Sequence, residues 1–187
     1  MDPISIRALS GSLREGSLNT ALLRAAAELA PSGVIIELLD YRAVPFYDAD
    51  LGTPPEVERV KAAITEADAL LISTPEYNYS VPGVLKNVLD WASRPAYRSP
   101  LRGKPVAVLS AAPGQIGGAR AQQHLKTILL GTASPVFAWP EFLLSRSKER
   151  IVDGRLVDEK SRELLGALLA GFVREVRVRR ALAEEAS

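Results

Sequence analysis

The sequence predicts an α/β fold in three layers, with a five-stranded parallel sheet of order 2-1-3-4-5 sandwiched between helices. Three observations carry this reading. Short apolar runs rich in β-branched residues alternate five times with segments whose apolar residues repeat at helical spacing. Buried strands joined by helical crossovers imply a parallel sheet with helices on both faces. Right-handed crossovers of this number suit a chain of 187 residues, read as one domain over residues 1–187.

Residues 4–10 form the first strand, which stops at Gly11. Leu18, Leu22, Ala25, Ala26 and Leu29 mark one face of a first helix over residues 18–30, ended by Pro31, Ser32 and Gly33. Residues 34–39 are a second strand. Residues 41–55 carry three prolines and one glycine and are expected to be a surface connection. Val57, Val60 and Ile64 mark a helix over residues 56–67. A third strand, residues 69–74, is broken by Pro75. A helix over residues 82–92 starts with proline in its favoured first turn. Residues 105–110 are the fourth strand, 118–130 the fourth helix and 133–139 the fifth strand. Asp153-Gly154 centres a small hairpin over residues 151–157. The longest helix spans residues 158–179, with Leu164, Leu165, Leu168, Leu169, Phe172, Val173 and Val176 in its buried stripe, and the Ala/Glu-rich tail is expected to fray. The strand order is flavodoxin-like. Ligands of such sheets sit beyond the carboxyl ends of the strands, beside the order reversal, here the loops after strands one, three and four.

Composition removes whole classes of function. There are 23 basic and 22 acidic residues, a net charge of +1, so nucleic acid and charged membrane surfaces are not expected partners. No cysteine is present, which excludes disulfides, thiolate catalysis and thiolate-bound metals. A single histidine argues against a histidine-rich metal site. No apolar run approaches the roughly 18 residues of a membrane span. Residues 1–7 lack a basic region followed by an apolar one, so no signal peptide is expected and the cytoplasm is the expected location. Redox chemistry would need a bound cofactor.

The first loop is Ser10-Gly11-Ser12-Leu13-Arg14-Glu15-Gly16-Ser17-Leu18-Asn19. Its glycines allow close backbone approach. Ser12, Ser17 and Asn19 are short donors, and a helix N-terminus follows, so the loop can hold a phosphate. The spacing Gly11-x-x-x-x-Gly16 lacks the lysine of a nucleoside-triphosphate loop and the third glycine of a dinucleotide loop, so one phosphate monoester fits better. The alternative is a capped helix start without a ligand. The second loop, Pro75-Glu76-Tyr77-Asn78-Tyr79-Ser80-Val81-Pro82-Gly83, offers a rigid, partly apolar wall for a planar ring, or a turn whose tyrosines merely pack. The third, from Ser110 through Gly117 and Gly118 to Arg120, leaves room for a flat ligand and aims a helix N-terminus at it, or is a plain connection.

Taken together, Gly11-Ser12-Leu13-Arg14-x-Gly16-Ser17-x-Asn19, Pro75-Glu76-Tyr77-Asn78-x-Ser80-x-Pro82-x-x-Leu85-Lys86-Asn87-x-x-Asp90-Trp91 and Gly117-Gly118-x-Arg120 closely resemble the NADPH-dependent FMN reductases, which include quinone, azo-dye and chromate reductases. The resemblance spans roughly residues 4–145. It implies FMN as cofactor, NADPH or NADH as hydride donor, a small-molecule electron acceptor, and a homodimer or homotetramer. It places Ser12, Arg14, Ser17, Leu18 and Asn19 at the FMN phosphate. Pro75, Glu76, Tyr77 and Asn78 then lie along the isoalloxazine, with Ser110, Gly117 and Gly118 as the far wall. Arg14 serves that phosphate or the 2′-phosphate of NADPH, or is a solvated surface arginine. Hydride enters and leaves through flavin N5, so no catalytic side chain and no metal is expected.

Two other functions share this fold. An electron-carrying flavodoxin without NAD(P)H turnover, or a flavin-based redox sensor, would keep the cofactor and lose the reaction. A receiver domain needs acidic strand ends, and the strands here end Leu9-Ser10 and Ser73-Thr74. His124 reads as a surface or packing residue, Trp139 as core or interface, and Trp91 as core or subunit contact. Arg120 and Glu141 are candidates for an intersubunit ion-pair network, a weak source of stability when exposed. Residues 45–50 read equally as a solvated loop or as a cover for a neighbouring subunit's flavin. The apolar helix over residues 84–91 suggests a subunit contact.

Overall fold

The sheet grows outward from the first strand, β1 (Ile4–Ser10), to both sides. The computed structural model describes residues 3–185. α1 (Leu18–Glu28) leads to β2 (Val34–Leu38) on one side of β1. α2 (Pro55–Glu66) crosses to β3 (Ala69–Thr74) on the other, and α3 (Gly83–Ala92) continues to β4 (Val106–Ala111). α4 (Ala119–Gly131) leads to the edge strand β5 (Phe142–Leu144). Every neighbouring pair is parallel and the order is β2-β1-β3-β4-β5, as expected. Ser10 pairs with Ser73 and Thr74 with Ser110, so β1, β3 and β4 end level beside the order reversal.

Two apolar layers hold the sheet. On one face Ile6, Ala8, Leu71, Leu109 and Leu144 pack under Leu22 and Leu23 of α1 and under Leu165, Leu169 and Phe172 of the last helix. On the other, Leu9, Leu70, Ile72 and Val106 pack under α2, α3 and α4 through Val60, Ile64, Leu85, Leu89 and Leu125. Adjacent strand residues face opposite layers, so both sides of the strand are buried. Each fully buried leucine contributes roughly 1.5–3 kcal/mol.

The fifth strand departs from the expected residues 133–139. That segment does approach β4, since the N–H of Val106 donates to Pro135 O at 2.9 Å and the N–H of Phe137 to Val106 O at 2.8 Å. It then bulges away before pairing resumes at Leu109–Phe142. Pro140 has no N–H to give the ladder, which an edge strand tolerates. Trp139 leaves the strand line to stack on Phe137, centroids 5.3 Å apart, and lies over Gly171, where a Cβ would come within 2.6 Å of the indole. β-propensity marked the apolar half of the segment, and the tertiary packing moved the strand.

α5 (Ser147–Arg150) and the hairpin β6 (Ile151–Val152) and β7 (Arg155–Leu156) follow, turning at Asp153-Gly154 as expected. α6 (Glu159–Glu185) outruns its expected end at residue 179, and Leu164, expected in the buried stripe, is instead 51% exposed because it falls one residue off the face that Leu165, Leu168 and Leu169 bury. Arg179–Glu175 and Arg180–Glu184 pairs at i,i+4 support the added turns. Residues 186 and 187 of the expected frayed tail, and the first two residues of the N-terminal segment, lie outside the described residues. Asp158 starts α6 by accepting the N–H of Ser161 at 2.8 Å, and the Ser161 hydroxyl and N–H hold its carboxyl below the usual carboxylate range. Among the described residues no helix is long and apolar enough to cross a membrane.

Candidate functional site

Three loops meet above the carboxyl ends of β1, β3 and β4. Ser17 caps α1: its Oγ accepts the N–H of Thr20 at 3.2 Å and its carbonyl accepts the N–H of Ala21 at 2.9 Å. The first two helical N–H groups, of Leu18 and Asn19, keep no acceptor among the described residues. The loop is held from beneath. Thr20 Oγ1 donates to Ser10 Oγ at 2.8 Å, and Ser10 Oγ donates to Ser12 O at 3.1 Å. The Tyr41 hydroxyl donates to Ser10 O. Burial, with the Asp40 charge beside it, pushes that phenol well above its ordinary pKa, so it remains a donor. Gly11 lets the first loop touch the second, because a Cβ there would stand 2.9 Å from Thr74 Oγ1 and 3.0 Å from Pro75 Cδ.

The second loop is a tight turn. Tyr77 and Ser80 exchange N–H···O bonds of 3.0 Å in both directions, with Asn78 at φ 50° and Tyr79 at φ 66° between them. Two left-handed central residues define a primed hairpin turn, which costs a tyrosine about 1 kcal/mol or more. Arg120 offsets that cost. Its guanidinium lies 4.0 Å over the Tyr79 ring and donates to Glu76 Oε1 at 2.6 Å, while its N–H donates to Glu76 Oε2 at 3.1 Å. Glu76 thus ties the second loop to the first turn of α4. In the third loop, Gly117 at φ 67° and Gly118 at φ 90° bend the chain into α4. Ser110 Oγ fixes that bend by donating to Gly117 O at 2.6 Å while accepting Gln122 Nε2 at 2.9 Å.

Between the loops lies a cleft of about 220 Å³, lined on the first-loop side by Ser12, Arg14, Ser17, Leu18 and Asn19 and on the opposite side by Pro75, Tyr77, Ala111 and Lys148. Seven of the expected site residues are therefore brought together: Ser12, Arg14, Ser17, Leu18, Asn19, Pro75 and Tyr77. Glu76, Asn78, Ser110, Gly117 and Gly118 do not line it; Glu76, Ser110, Gly117 and Gly118 shape the loops around it, and Asn78 is a central residue of the second-loop turn. The Asn19 amide was expected to donate to a phosphate, but it is committed inside the protein. Its Nδ2 donates to Ala111 O at 2.9 Å, and its Oδ1 accepts from Ser73 Oγ at 2.8 Å and from the N–H of Ala111 at 3.0 Å. What Asn19 offers the cleft is its backbone N–H.

Sequence reasoning missed Lys148, Thr20 and Tyr41. Lys148 follows the true end of β5, so a correct fifth strand would have flagged it as a strand-end residue. Several residues read as subunit contacts are engaged within the chain. Trp91 Nε1 and Asn87 Nδ2 both donate to Pro45 O, at 2.9 and 2.8 Å, and the N–H of Tyr47 donates to Asn87 Oδ1 at 2.7 Å. Residues 45–47 are thus strapped to α3. Leu85, Val88, Leu89 and Trp91 are all buried in their own chain, so the apolar surface of α3 gives no argument for a dimer. Arg120 pairs with Glu76, and Glu141 with Lys126 at 2.5 Å. His124 Nδ1 lies 3.0 Å from Ser80 Oγ on an exposed turn of α4.

The donor set fits FMN. The cleft presents two cations, hydroxyls and two unpartnered helix N–H groups, with no carboxylate in its lining, and the rings of Pro75 and Tyr77 line it too. A phosphate monoester joined to a planar ring matches both ends. Among the described residues no cluster of acidic, histidine or cysteine side chains could hold a metal ion.

The sequence profile of the NADPH-dependent FMN reductases matches residues 4–149. The chain is 48% identical over 168 residues to an NAD(P)H-dependent FMN reductase of Pseudomonas aeruginosa, covering 88% of this chain and 90% of that one. It is 39% identical over 178 residues to a quinone reductase of Escherichia coli, covering 91% and 94%. Its fold matches the flavoenzyme NAD(P)H:(acceptor) oxidoreductase FerB of Paracoccus denitrificans with a TM-score of 0.87 at 36% identity, over 94% of this chain and 98% of that one. A profile match over most of the chain and relatives at this identity settle the assignment: the protein belongs to the NADPH-dependent FMN reductase family.

Proposed function

We propose that the protein holds FMN in this cleft and passes hydride from NAD(P)H to quinones or similar acceptors, among them azo dyes, chromate and free flavin. One observation carries the placement: the only charged side chains lining the cleft are cations, and they share it with the free N–H groups of Leu18 and Asn19. In this reading Ser12, Arg14, Ser17 and the α1 N-terminus hold the phosphate. Pro75, Tyr77 and the backbone of the second loop lie along the ring, and the Ser110, Gly117 and Gly118 bend sets the far wall. FMN, when bound, would supply the hydride-transfer chemistry. The side chains bind and orient. We read its location as the cytoplasm, where reduced nicotinamide nucleotides are available. The motif loops hold one phosphate, so flavin released by heating is expected to run as FMN on chromatography. Recovery of FAD alone, or no flavin after soaking with FMN, refutes the reading.

His124 does not line the cleft; its ring meets Ser80 on an exposed turn of α4. His124→Ala is therefore expected to leave turnover within about threefold, under 1 kcal/mol in the barrier. A large loss with FMN still bound would reveal a proton-transfer role.

The protein is read as a homodimer or homotetramer. The loops that follow β2, β3 and β4 leave Phe46 87%, Tyr79 66% and Ile116 49% exposed, and a second copy would cover such apolar surface. Sedimentation is expected to exceed the 20.2 kDa monomer, and a fully active monomer contradicts this.

A further inference from the structure

We propose that Lys148 joins Arg14 in a two-cation clamp on a phosphate monoester, making Lys148 a recognition residue of this chain. The proposal rests on the FMN reading above. Lys148 stands on α5, at the carboxyl end of β5, and lines the same cleft as Arg14, Ser12 and Ser17. Its backbone is fixed. The N–H of Arg146 donates to Gly114 O at 3.1 Å, the N–H of Ser147 donates to Ala112 O at 3.2 Å, and Ser147 is fully buried. The hairpin that follows packs against α1, so the segment bearing Lys148 spans from the third loop to the helix whose N-terminus opens on the cleft.

Both cations are uncommitted. Among the described residues neither the Arg14 guanidinium nor the Lys148 ammonium has a carboxylate within ion-pair distance or a hydrogen-bond acceptor, whereas Lys86, Lys126 and Lys160 each hold a carboxylate. The adjacent carboxylate, Glu149, pairs with Arg146 at 3.7 Å. Charge balance calls for a second cation. A phosphate monoester carries about −1.5 to −2 at pH 7, while a helix N-terminus supplies about +0.5 and one arginine +1. Lys148 supplies the remainder as a point charge. The anion is either the 5′-phosphate of FMN or the 2′-phosphate of NADPH.

The test uses the full chain stripped of flavin and measures affinity for FMN and for riboflavin by flavin-fluorescence quenching, then kcat/KM for NADPH and NADH in the FMN-loaded protein. Variants are Lys148→Gln, Lys148→Arg, Arg14→Gln and, as a distant charge control, Lys160→Gln. Lys148→Gln is expected to weaken FMN about fivefold, as for an exposed ion pair, and to leave riboflavin unchanged. Lys148→Arg should restore affinity, Arg14→Gln should share the phosphate-specific loss, and Lys160→Gln should bind as wild type. If FMN affinity holds but the NADPH-over-NADH preference falls by a similar factor, the clamped anion is the 2′-phosphate and the proposal stands. Wild-type values for Lys148→Gln in both arms overturn it while leaving the FMN reading intact. A wild-type chain that binds no flavin fails both.

Discussion

Asn19→Leu is expected to cost the fold about 3 kcal/mol or more and to weaken FMN binding with it. The residue is 2% exposed, and its amide joins the start of α1 to β3 and β4 through three hydrogen bonds. Leucine is of similar size but leaves the Ser73 hydroxyl and both backbone groups of Ala111 without their partner. Each abandoned buried group costs roughly 1–3 kcal/mol, against a total stability of about 5–15 kcal/mol. The cleft suffers because the same residue sets where the Leu18 and Asn19 N–H groups point. Urea denaturation, read alongside FMN titration, checks both. Stability within about 0.5 kcal/mol of wild type would show that the three bonds are not holding α1 to the sheet.

Gly118→Ala is expected to have the second large effect. Gly118 sits at φ 90°, and a Cβ there would stand 2.9 Å from Ser110 Cβ. Ser110 cannot yield easily, since its hydroxyl is tied to Gly117 O and Gln122. The left-handed backbone costs about 1–2 kcal/mol for an alanine and the overlap about 1–3 more. The bend into α4 must open, and the far wall of the cleft moves with it. FMN affinity should fall at least tenfold with a clear loss of thermal stability. Gly166→Ala is the contrast: it lies within α6, has nothing within 4 Å of its Cβ, and should stabilise by about 0.5–1 kcal/mol. If both variants behave alike, the close packing at Gly118 is not what shapes the third loop.

Much of this architecture was legible in the sequence because it rests on local patterns. The first four strands and their crossover helices follow from apolar runs and helical spacing. The site loops follow from where glycine, serine and proline interrupt those runs, which is why Ser12, Arg14, Ser17, Leu18, Asn19, Pro75 and Tyr77 come together as expected. The failures share a cause. The fifth strand was misplaced because Phe137 and Trp139 look like strand residues in sequence, yet their partners are Phe172 and Gly171 on a helix over thirty residues away. That error also hid Lys148. The Asn19 amide was assigned outward because a short polar side chain after Gly-Ser suggests a ligand donor, and sequence holds no sign of Ala111 waiting across the sheet. Trp91, Leu85 and Leu89 suggested an interface because the Pro45 strap that covers α3 comes forty residues earlier.

The central claim is that this chain binds FMN in the cleft over β1, β3 and β4 and reduces it with NAD(P)H. An anaerobic titration of the purified, FMN-loaded protein with NADPH, followed by visible absorbance, tests it most directly. The account predicts one FMN per chain, bleaching of the flavin bands by NADPH or NADH, and their return when a quinone is added. A yellow protein whose bands persist with either nucleotide would be an electron carrier or a sensor and not a reductase, and a protein that takes up no FMN would contradict the account entirely.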